Sequence, residues 1–182
     1  MDLVKGIKER RSIRKFQDKP IDRKLIEEIV ETARFAPSWK NTQIVRYLVV
    51  DDKEKIAAIA NSKCTYGFDY NIKAIAGAPA VVILTFVEGR SGFDKDGSFS
   101  TPKGEGWQMF DAGIAAQTFC LAAHEKGLGT VIQGYFDDAE LKKVLPIPEG
   151  QQVGAVIPIG YSTEAEVAAP PRKEASELLT FI

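Results

Sequence analysis

The stretch Ala80-Val81-Val82-Ile83-Leu84-Thr85-Phe86 decides the fold of this chain. It is apolar at odd and even positions alike, which predicts a strand that is covered on both faces and lies centrally in a sheet. Further strands are predicted over residues 46–50 and 130–133. A fourth strand is predicted from Val153 to Tyr161, with an interruption at Pro158.

Helical patterns surround these strands along the chain. They predict helices over residues 2–9, 23–35, 53–60, 107–126 and 138–144. Asp22 is a suitable N-cap for the second helix, Pro37 is expected to end it, and Gly127 is expected to end the long one. Because helices and strands do not alternate regularly, the prediction is an α+β sandwich with a mixed or mainly antiparallel sheet.

The domain prediction is a single unit over residues 1–182. The segment 88–106 is rich in Gly, Ser, Asp and Lys, which predicts a mobile loop or lid rather than a linker. Residues 162–182 contain Pro170-Pro171 and little periodicity, and they are interpreted as a C-terminal extension.

Composition excludes several classes of function. The chain has 182 residues, with 24 basic and 25 acidic side chains and a formal net charge of −1, which gives no general attraction to nucleic acid or to an anionic membrane. No apolar run approaches the ~20 residues of a spanning helix. The only cysteines, Cys64 and Cys120, are far apart, which argues against a disulfide scaffold or zinc site and predicts a cytoplasmic protein with free thiols.

Basic side chains concentrate near both ends of the chain. The first cluster contains Arg10, Arg11, Ser12 and Arg14, and the second is Arg172-Lys173. Guanidinium groups bind phosphate oxygens in pairs and a hydroxyl can donate to another, so the first cluster is a candidate phosphate site. A solvated basic turn is the alternative interpretation.

Two further segments are candidates for binding a flat ligand. Residues 36–43, Ala-Pro-Ser-Trp-Lys-Asn-Thr-Gln, are dense in short hydrogen-bonding side chains that suit the edge of a heterocycle. Gly134 permits close backbone approach, so Gln133 and Gly134 could present main-chain groups to such a ligand. A helix stop with a polar turn, and a plain strand-end turn, are the respective alternatives.

Other polar residues favour structural interpretations. His124, the single histidine, falls in the last turn of the long predicted helix, where the helix dipole favours its protonated form. Asp111 and Gln117 are polar positions of the same helix and are expected to pair across a helix interface. Cys64 and Cys120 have no adjacent histidine and are interpreted as packing residues.

Taken together and in order, six segments resemble the nitroreductase family of FMN-dependent oxidoreductases. They are Arg10–Phe16; Ala36-Pro37-Ser38 with Asn41 and Gln43; Asn71 before Ala78-Pro79; Asp111-Ala112-Gly113 with Gln117; Gly127-Leu128-Gly129 followed by Gln133-Gly134; and Gly160-Tyr161 followed by Pro171-Arg172-Lys173. The family often has a lysine three residues after the asparagine, whereas this chain has Ala74 there, beside Lys73.

The resemblance implies a three-layer α+β sandwich and an intertwined homodimer with two FMN molecules in its interface. It implies that Arg10, Ser12 and Arg172 hold the FMN phosphate with help from Lys173, and that Arg14 approaches the pyrimidine side of the ring. The remaining implied contacts are Asn71 at the isoalloxazine edge, main-chain groups of Gln133 and Gly134 near N5, and Pro37, Ser38 and Asn41 at the FMN of the other subunit.

The activity implied is hydride transfer from NADH or NADPH, through flavin N5, to a nitroaromatic, quinone or similar small acceptor by a ping-pong mechanism. No catalytic side chain and no metal are needed for such a transfer, because the flavin supplies the chemistry. The aromatic side chains expected to line the acceptor pocket are Trp39, Phe93, Phe99, Trp107 and Tyr135. The alternatives are a non-catalytic flavin- or nucleotide-binding protein and, disfavoured by the charge, a nucleic-acid-binding protein.

Overall fold

The computed structural model describes residues 2–182, which form a four-stranded antiparallel sheet with helices on both faces. The strands have the order β1-β2-β4-β3. The elements are α1 (Leu3–Glu9), α2 (Arg23–Ala33), β1 (Val45–Val50), α3 (Lys53–Ile59), α4 (Asp69–Ala76), β2 (Ala80–Val87), α5 (Gly106–Glu125), β3 (Gly129–Thr130), α6 (Asp138–Val144), β4 (Gln151–Gly160) and α7 (Ala175–Leu178).

Strand β2 lies between β1 and β4, as its two apolar faces predicted. Its side chains alternate between two hydrophobic cores. Val82 and Leu84 pack with α2 and α5, and Val81 and Ile83 pack with α3, α4 and α6. The predicted α+β sandwich is therefore confirmed, with the sheet as its middle layer.

The helix ends follow the predicted capping residues. The Asp22 carboxylate accepts a hydrogen bond of 3.0 Å from the Lys24 N–H at the start of α2. Beyond α5, Gly127 adopts a φ of +76°, a left-handed conformation that glycine reaches without steric cost. The long central helix thus ends where the sequence predicted, and the chain turns directly into β3.

Two strand predictions were wrong at Pro158. Strand β4 runs through Pro158 without interruption, whereas β3 ends at Thr130 instead of continuing to residue 133. The Pro158 carbonyl accepts from the Val131 N–H at 3.3 Å, so its ring nitrogen faces the same edge, since both groups of a strand residue point to one side. Because proline has no N–H to donate there, β4 keeps its shape while its pairing with β3 is interrupted, to resume only as an isolated bridge between Gln133 and Val156.

Further differences concern segments without clear periodicity. Helices α4 and α7 were not predicted. Residues 88–106, the predicted lid, form turns and a bridge between Phe93 and Phe99 up to the start of α5. Within residues 2–182, no helix has the length and apolar character needed to cross a membrane.

Candidate functional site

Residues 10–13 leave the end of α1 and lie alongside β3. Ser12 forms a parallel bridge with Thr130, and the Ile13 N–H donates to the Thr130 carbonyl at 2.9 Å. The approach depends on Gly129, because a Cβ atom there would lie 2.5 Å from Ile13 Cγ1. The basic cluster is therefore fixed to the sheet through a contact that only glycine permits.

Arg10 and Arg11 border a cavity of about 800 Å³, together with Thr130, His124 and residues 162–169 of the C-terminal extension. The Nε atoms of both arginines are buried and have no hydrogen-bond partner, and neither guanidinium forms an ion pair within the described residues. Arg11 Nη1 donates to the carbonyls of Lys8 at 2.6 Å and Arg10 at 2.9 Å. A buried donor without a partner costs about 1–3 kcal/mol, so these arginines suit an anion such as phosphate.

Arg14 lies apart from this cavity and points toward α4. Its side chain is exposed, Nη1 donates to the Ser12 carbonyl at 3.2 Å, and the guanidinium lies 5.7 Å from the centre of the Tyr70 ring. The cluster thus divides into an anion-facing part and a cation that reaches the neighbourhood of Asn71.

Asn71 and residues 133–135 lie side by side. The Asn71 side chain is buried in α4 and donates through Nδ2 to the Tyr135 carbonyl at 3.2 Å. The N–H of Gly134, which is exposed, makes no hydrogen bond with any other described residue. A polar side chain and a free main-chain donor are therefore adjacent, as the edge of a heterocycle would require.

Both main-chain groups of Gln133 are engaged within the sheet, and its predicted main-chain contact with a ligand stays a prediction. Its N–H donates to Val156 O at 2.9 Å and its carbonyl accepts from Val156 N at 3.0 Å. The side chain is buried, and its Oε1 atom has no partner. The side-chain amide of Gln133 is therefore a second group that a ligand could contact.

An exposed aromatic cluster lies next to Asn71 and Gly134. Tyr135 contacts Tyr66 at 5.2 Å and Phe68 at 5.8 Å between ring centres, and Phe68 contacts Tyr70 at 6.3 Å. All four rings are about half exposed or more. Only Tyr135 was among the aromatic residues expected from sequence. The alternation Tyr66-Gly67-Phe68-Asp69-Tyr70 directly before Asn71 was the signal that could have identified the others.

The C-terminal cations do not join the arginine cavity. Arg172 and Lys173 are exposed, and Arg172 Nη1 donates only to the carbonyls of Pro170 at 3.1 Å and Pro171 at 3.3 Å. Their predicted contact with phosphate stays a prediction, although the preceding residues 162–169 border the cavity.

The loop that carries Pro37, Ser38 and Asn41 forms a separate part of the molecule. The Ser38 hydroxyl accepts from the Gln43 N–H at 2.9 Å, and Asn41 has a φ of 54°. Lys40 and Gln43 are also left-handed, at 44° and 49°, and such residues cost roughly 1–2 kcal/mol each. No hydrogen bond, ion pair or ring contact joins this loop to Arg10 or Asn71 within residues 2–182.

The Asp111 carboxylate fixes this loop to α5. It is buried, and it accepts from the Trp39 N–H at 3.0 and 3.1 Å and from the Ser91 hydroxyl at 2.7 Å. It therefore joins two loops to a helix, rather than pairing across a helix interface as predicted. Gln117 is exposed, whereas Gln108, which the sequence did not single out, accepts from the Gly89 N–H at 2.7 Å.

The other expected pocket aromatics pack among themselves near this loop. Trp39 and Trp107 lie 4.5 Å apart, and Phe93 and Phe99 lie 5.0 Å apart, between ring centres. These four rings therefore belong with the loop that carries Ser38 and Asn41, and not with the cluster around Tyr135.

Both cysteines are buried free thiols. Burial raises the pKa of Cys120, and the nearby Thr130 hydroxyl and Arg10 charge only partly oppose that effect. Burial likewise raises the pKa of Cys64. Because a thiol must ionise to become a nucleophile, both residues act as packing residues in this fold.

Comparison with known proteins defines the class. The sequence model of the Nitroreductase family matches residues 7–65 and 68–161, so the chain belongs to the nitroreductase family. It is 32% identical over 168 residues to a Methanothermobacter thermautotrophicus protein described as an NADH dehydrogenase/NAD(P)H nitroreductase, over 90% of this chain and 79% of that one. It is 27% identical over 192 residues to a Bacillus subtilis FMN reductase (NAD(P)H), over 100% of this chain and 75% of that one.

A solved structure supports the same assignment. The FMN-dependent nitroreductase of Clostridium difficile R20291 superposes with a TM-score of 0.75 and 29% identity, over 98% of each chain. The predicted family and fold are thereby confirmed.

Proposed function

We propose that this protein is an NAD(P)H-dependent flavin oxidoreductase that binds FMN and reduces nitroaromatic, quinone or similar small acceptors. The observation that carries the proposal is the pair of buried, unpartnered Nε atoms of Arg10 and Arg11 on one cavity. Family membership and relatives named for FMN and NAD(P)H supply the class of reaction.

The phosphate end of FMN would bind in the arginine cavity. Two guanidinium groups can form charge-assisted hydrogen bonds with phosphate oxygens, which are roughly twice as strong as neutral ones. Thr130 and the Ser12 bridge keep the arginine segment in place beside β3. Arg172 and Lys173 would complete the phosphate contacts after a rearrangement of the C-terminal extension.

The ring end would lie toward Asn71, Arg14 and the free N–H of Gly134. FMN bound there would supply hydride chemistry at N5, alternating between NAD(P)H and the acceptor in a ping-pong sequence. Arg14 would stabilise negative charge on the pyrimidine side of the reduced ring, and the Gly134 N–H would donate a hydrogen bond to the ring edge. No side chain of this chain is required as a general acid or base for the transfer.

The aromatic cluster of Tyr66, Phe68, Tyr70 and Tyr135 favours flat acceptors. Offset or edge-to-face ring contacts contribute about 0.5–1.5 kcal/mol each beyond the buried area. The cluster lies beside Asn71, which is expected to hold the flavin ring. A nitroaromatic or quinone could therefore pack against the cluster while it faces the flavin.

We further propose that the working unit is an intertwined homodimer. The outer edge of β1 is unpaired within the described chain, and the C-terminal residues Leu178, Leu179 and Phe181 are exposed. Met109 and Phe110 add an exposed apolar face at the start of α5. A partner that covers these surfaces would bring its Pro37, Ser38 and Asn41 to the FMN held by Arg10 and Asn71.

Absorbance spectroscopy tests the activity. We expect the purified protein to show bound flavin that bleaches under anaerobic NADH or NADPH and recovers its colour on addition of a quinone or nitroaromatic. Bound flavin that neither nucleotide reduces would favour the alternative, a non-catalytic flavin-binding protein. No flavin binding, even after incubation with FMN, would refute the proposal.

A mixed dimer tests the shared site. Arg10→Ala and Asn41→Asp chains, carrying different tags, are combined and the heterodimer is isolated; aspartate is chosen because it tolerates the left-handed backbone of Asn41. If the two residues serve one FMN from different subunits, the heterodimer contains one intact site and is more active than either homodimer. A heterodimer no more active than the homodimers, or a flavin-loaded monomer of 20.0 kDa in sedimentation, would contradict the shared site.

A further inference from the structure

His124 is the third polar side chain on the arginine cavity. It lies in the last turn of α5, it lines the cavity of about 800 Å³, and its Nε2 atom is buried without a hydrogen-bond partner within the described residues. Arg10, Arg11 and His124 thus line one cavity, and each has a buried side-chain nitrogen atom without a partner within the described residues.

We propose that His124 is a further ligand of the phosphate-binding site, and that its protonated imidazole donates a hydrogen bond to the phosphate. This inference rests on the proposed function, because it takes the phosphate of FMN as the ligand of the cavity. A histidine side chain changes its charge between about pH 5 and 8, so the contact makes FMN binding weaken as the pH rises. His124 would therefore make cofactor retention sensitive to pH.

The end of α5 favours a positive charge at this position. The carbonyl groups at a helix C-terminus carry a partial negative charge, which disfavours an anion and favours a cation within the last turn. His124 lies in that last turn, so its imidazole, when protonated, would offset the repulsion that a phosphate meets there.

The carboxylates around the cavity, like the end of α5, favour the protonated imidazole. The charged groups that border it are Glu9, Arg10, Arg11, Glu164 and Glu166, with Glu125 and Lys126 next to it in the chain. Glu164 already pairs with Lys15 at 3.0 Å and Lys126 with Glu28 at 2.6 Å. The two arginines oppose protonation of His124, and a bound phosphate cancels their effect, so protonation and phosphate binding support each other.

The sequence contains a single histidine, which gives a direct measurement. In protein without an affinity tag, the imidazole C–H signal in the NMR spectrum belongs to His124, and its shift is followed against pH. With FMN bound, we expect the midpoint to lie about one pH unit above that with riboflavin, which lacks the phosphate; by linkage this is about a tenfold effect on affinity. Identical midpoints with the two flavins would overturn the inference.

Two variants test the same contact through binding. The phosphate of FMN loses its second proton near pH 6, which itself changes binding. The variants are therefore compared with wild type at the same pH. His124→Asn should bind FMN about tenfold more weakly than wild type near pH 6 and equally near pH 8.5, while His124→Lys should bind more tightly than His124→Asn at both. An equal loss at both pH values for His124→Asn would mean a structural role and refute the inference.

Riboflavin separates this inference from the proposal beneath it. If the wild-type protein binds FMN no more tightly than riboflavin, the phosphate site itself is wrong. If FMN is preferred but His124→Asn matches wild type at every pH, only the role of His124 is wrong. Should His124→Asn fail to fold, the NMR titration of the wild-type protein decides alone.

Discussion

Replacing Gly129 by alanine should loosen the segment that carries the phosphate-binding arginines. The new Cβ atom would lie 2.5, 2.6 and 2.9 Å from Ile13 Cγ1, Cβ and Cγ2, and Ile13 is itself buried in the second core. Overpacking of this kind costs about 1–3 kcal/mol. In a strand with ordinary backbone angles, alanine would otherwise stabilise by about 0.4–1 kcal/mol through the unfolded state. The expected net change is a decrease of about 1–2 kcal/mol in the free energy of unfolding. An increase would mean that the contact with Ile13 is absent.

Urea unfolding of the flavin-free protein, at fixed protein concentration, measures this loss. FMN titration then tests whether Arg10 and Ser12 move with Ile13, in which case FMN affinity should fall by about tenfold, or 1.4 kcal/mol. Gly134→Ala is the matched control for stability, because no atom lies within 4 Å of its added Cβ. If Gly129→Ala is as stable as wild type and binds FMN normally, the contact between Ile13 and β3 does not hold the site, and the reasoning is refuted.

Three further substitutions test the site and its supports. Arg10→Ala should weaken FMN binding by about 1.5–3 kcal/mol in a titration, since a charge-assisted contact is lost, and full flavin retention would contradict the assignment. Asp111→Ala should lower the free energy of unfolding by about 2–4 kcal/mol, because the Trp39 N–H and the Ser91 hydroxyl lose their acceptor; an unchanged urea midpoint would contradict this. Asp51→Asn should cost less than about 1 kcal/mol at pH 7, since the pair with Arg23 is mostly exposed. A hydrogen bond from Arg23 lowers the pKa of Asp51, so the pair stabilises the fold fully above the usual carboxyl pKa. This stabilisation is lost as the pH falls through the lowered pKa of Asp51. If Asp51→Asn still reduces the free energy of unfolding near pH 2, the pairing is contradicted.

The fold could be predicted where one residue type had one physical consequence. The two apolar faces of β2 required cover on both sides, Asp22 offered a carboxylate to a helix start, and Gly127 supplied a left-handed residue at a helix end. Pro158 shows the limit of this reasoning. A proline removes a hydrogen bond only at the edge that its nitrogen faces and need not end its own strand, and the sequence does not reveal which edge that is.

The same limit applied to Gln133. The sequence predicted main-chain contacts with a ligand from Gln133, but it did not show that its main-chain groups pair within the sheet. Its main-chain groups are used by Val156, and the side-chain Oε1 is left without a partner. Pairing across a sheet joins residues that are distant in the chain, so it decides the chemistry of a residue without leaving a local pattern.

The two halves of the predicted site lie on different parts of this chain. Arg10, Asn71 and Gly134 lie near β3, whereas Ser38 and Asn41 lie on a loop fixed to the start of α5. The Asp111 carboxylate holds that loop through the N–H of Trp39, while Lys40, Asn41 and Gln43 stay in a costly left-handed conformation. Within residues 2–182 this loop has no hydrogen bond to Arg10 or Asn71, and the proposed homodimer would give its costly shape a role at the partner's FMN. The proposed heterodimer of Arg10→Ala and Asn41→Asp chains is for that reason the experiment that bears most directly on how the family's site is assembled in this protein.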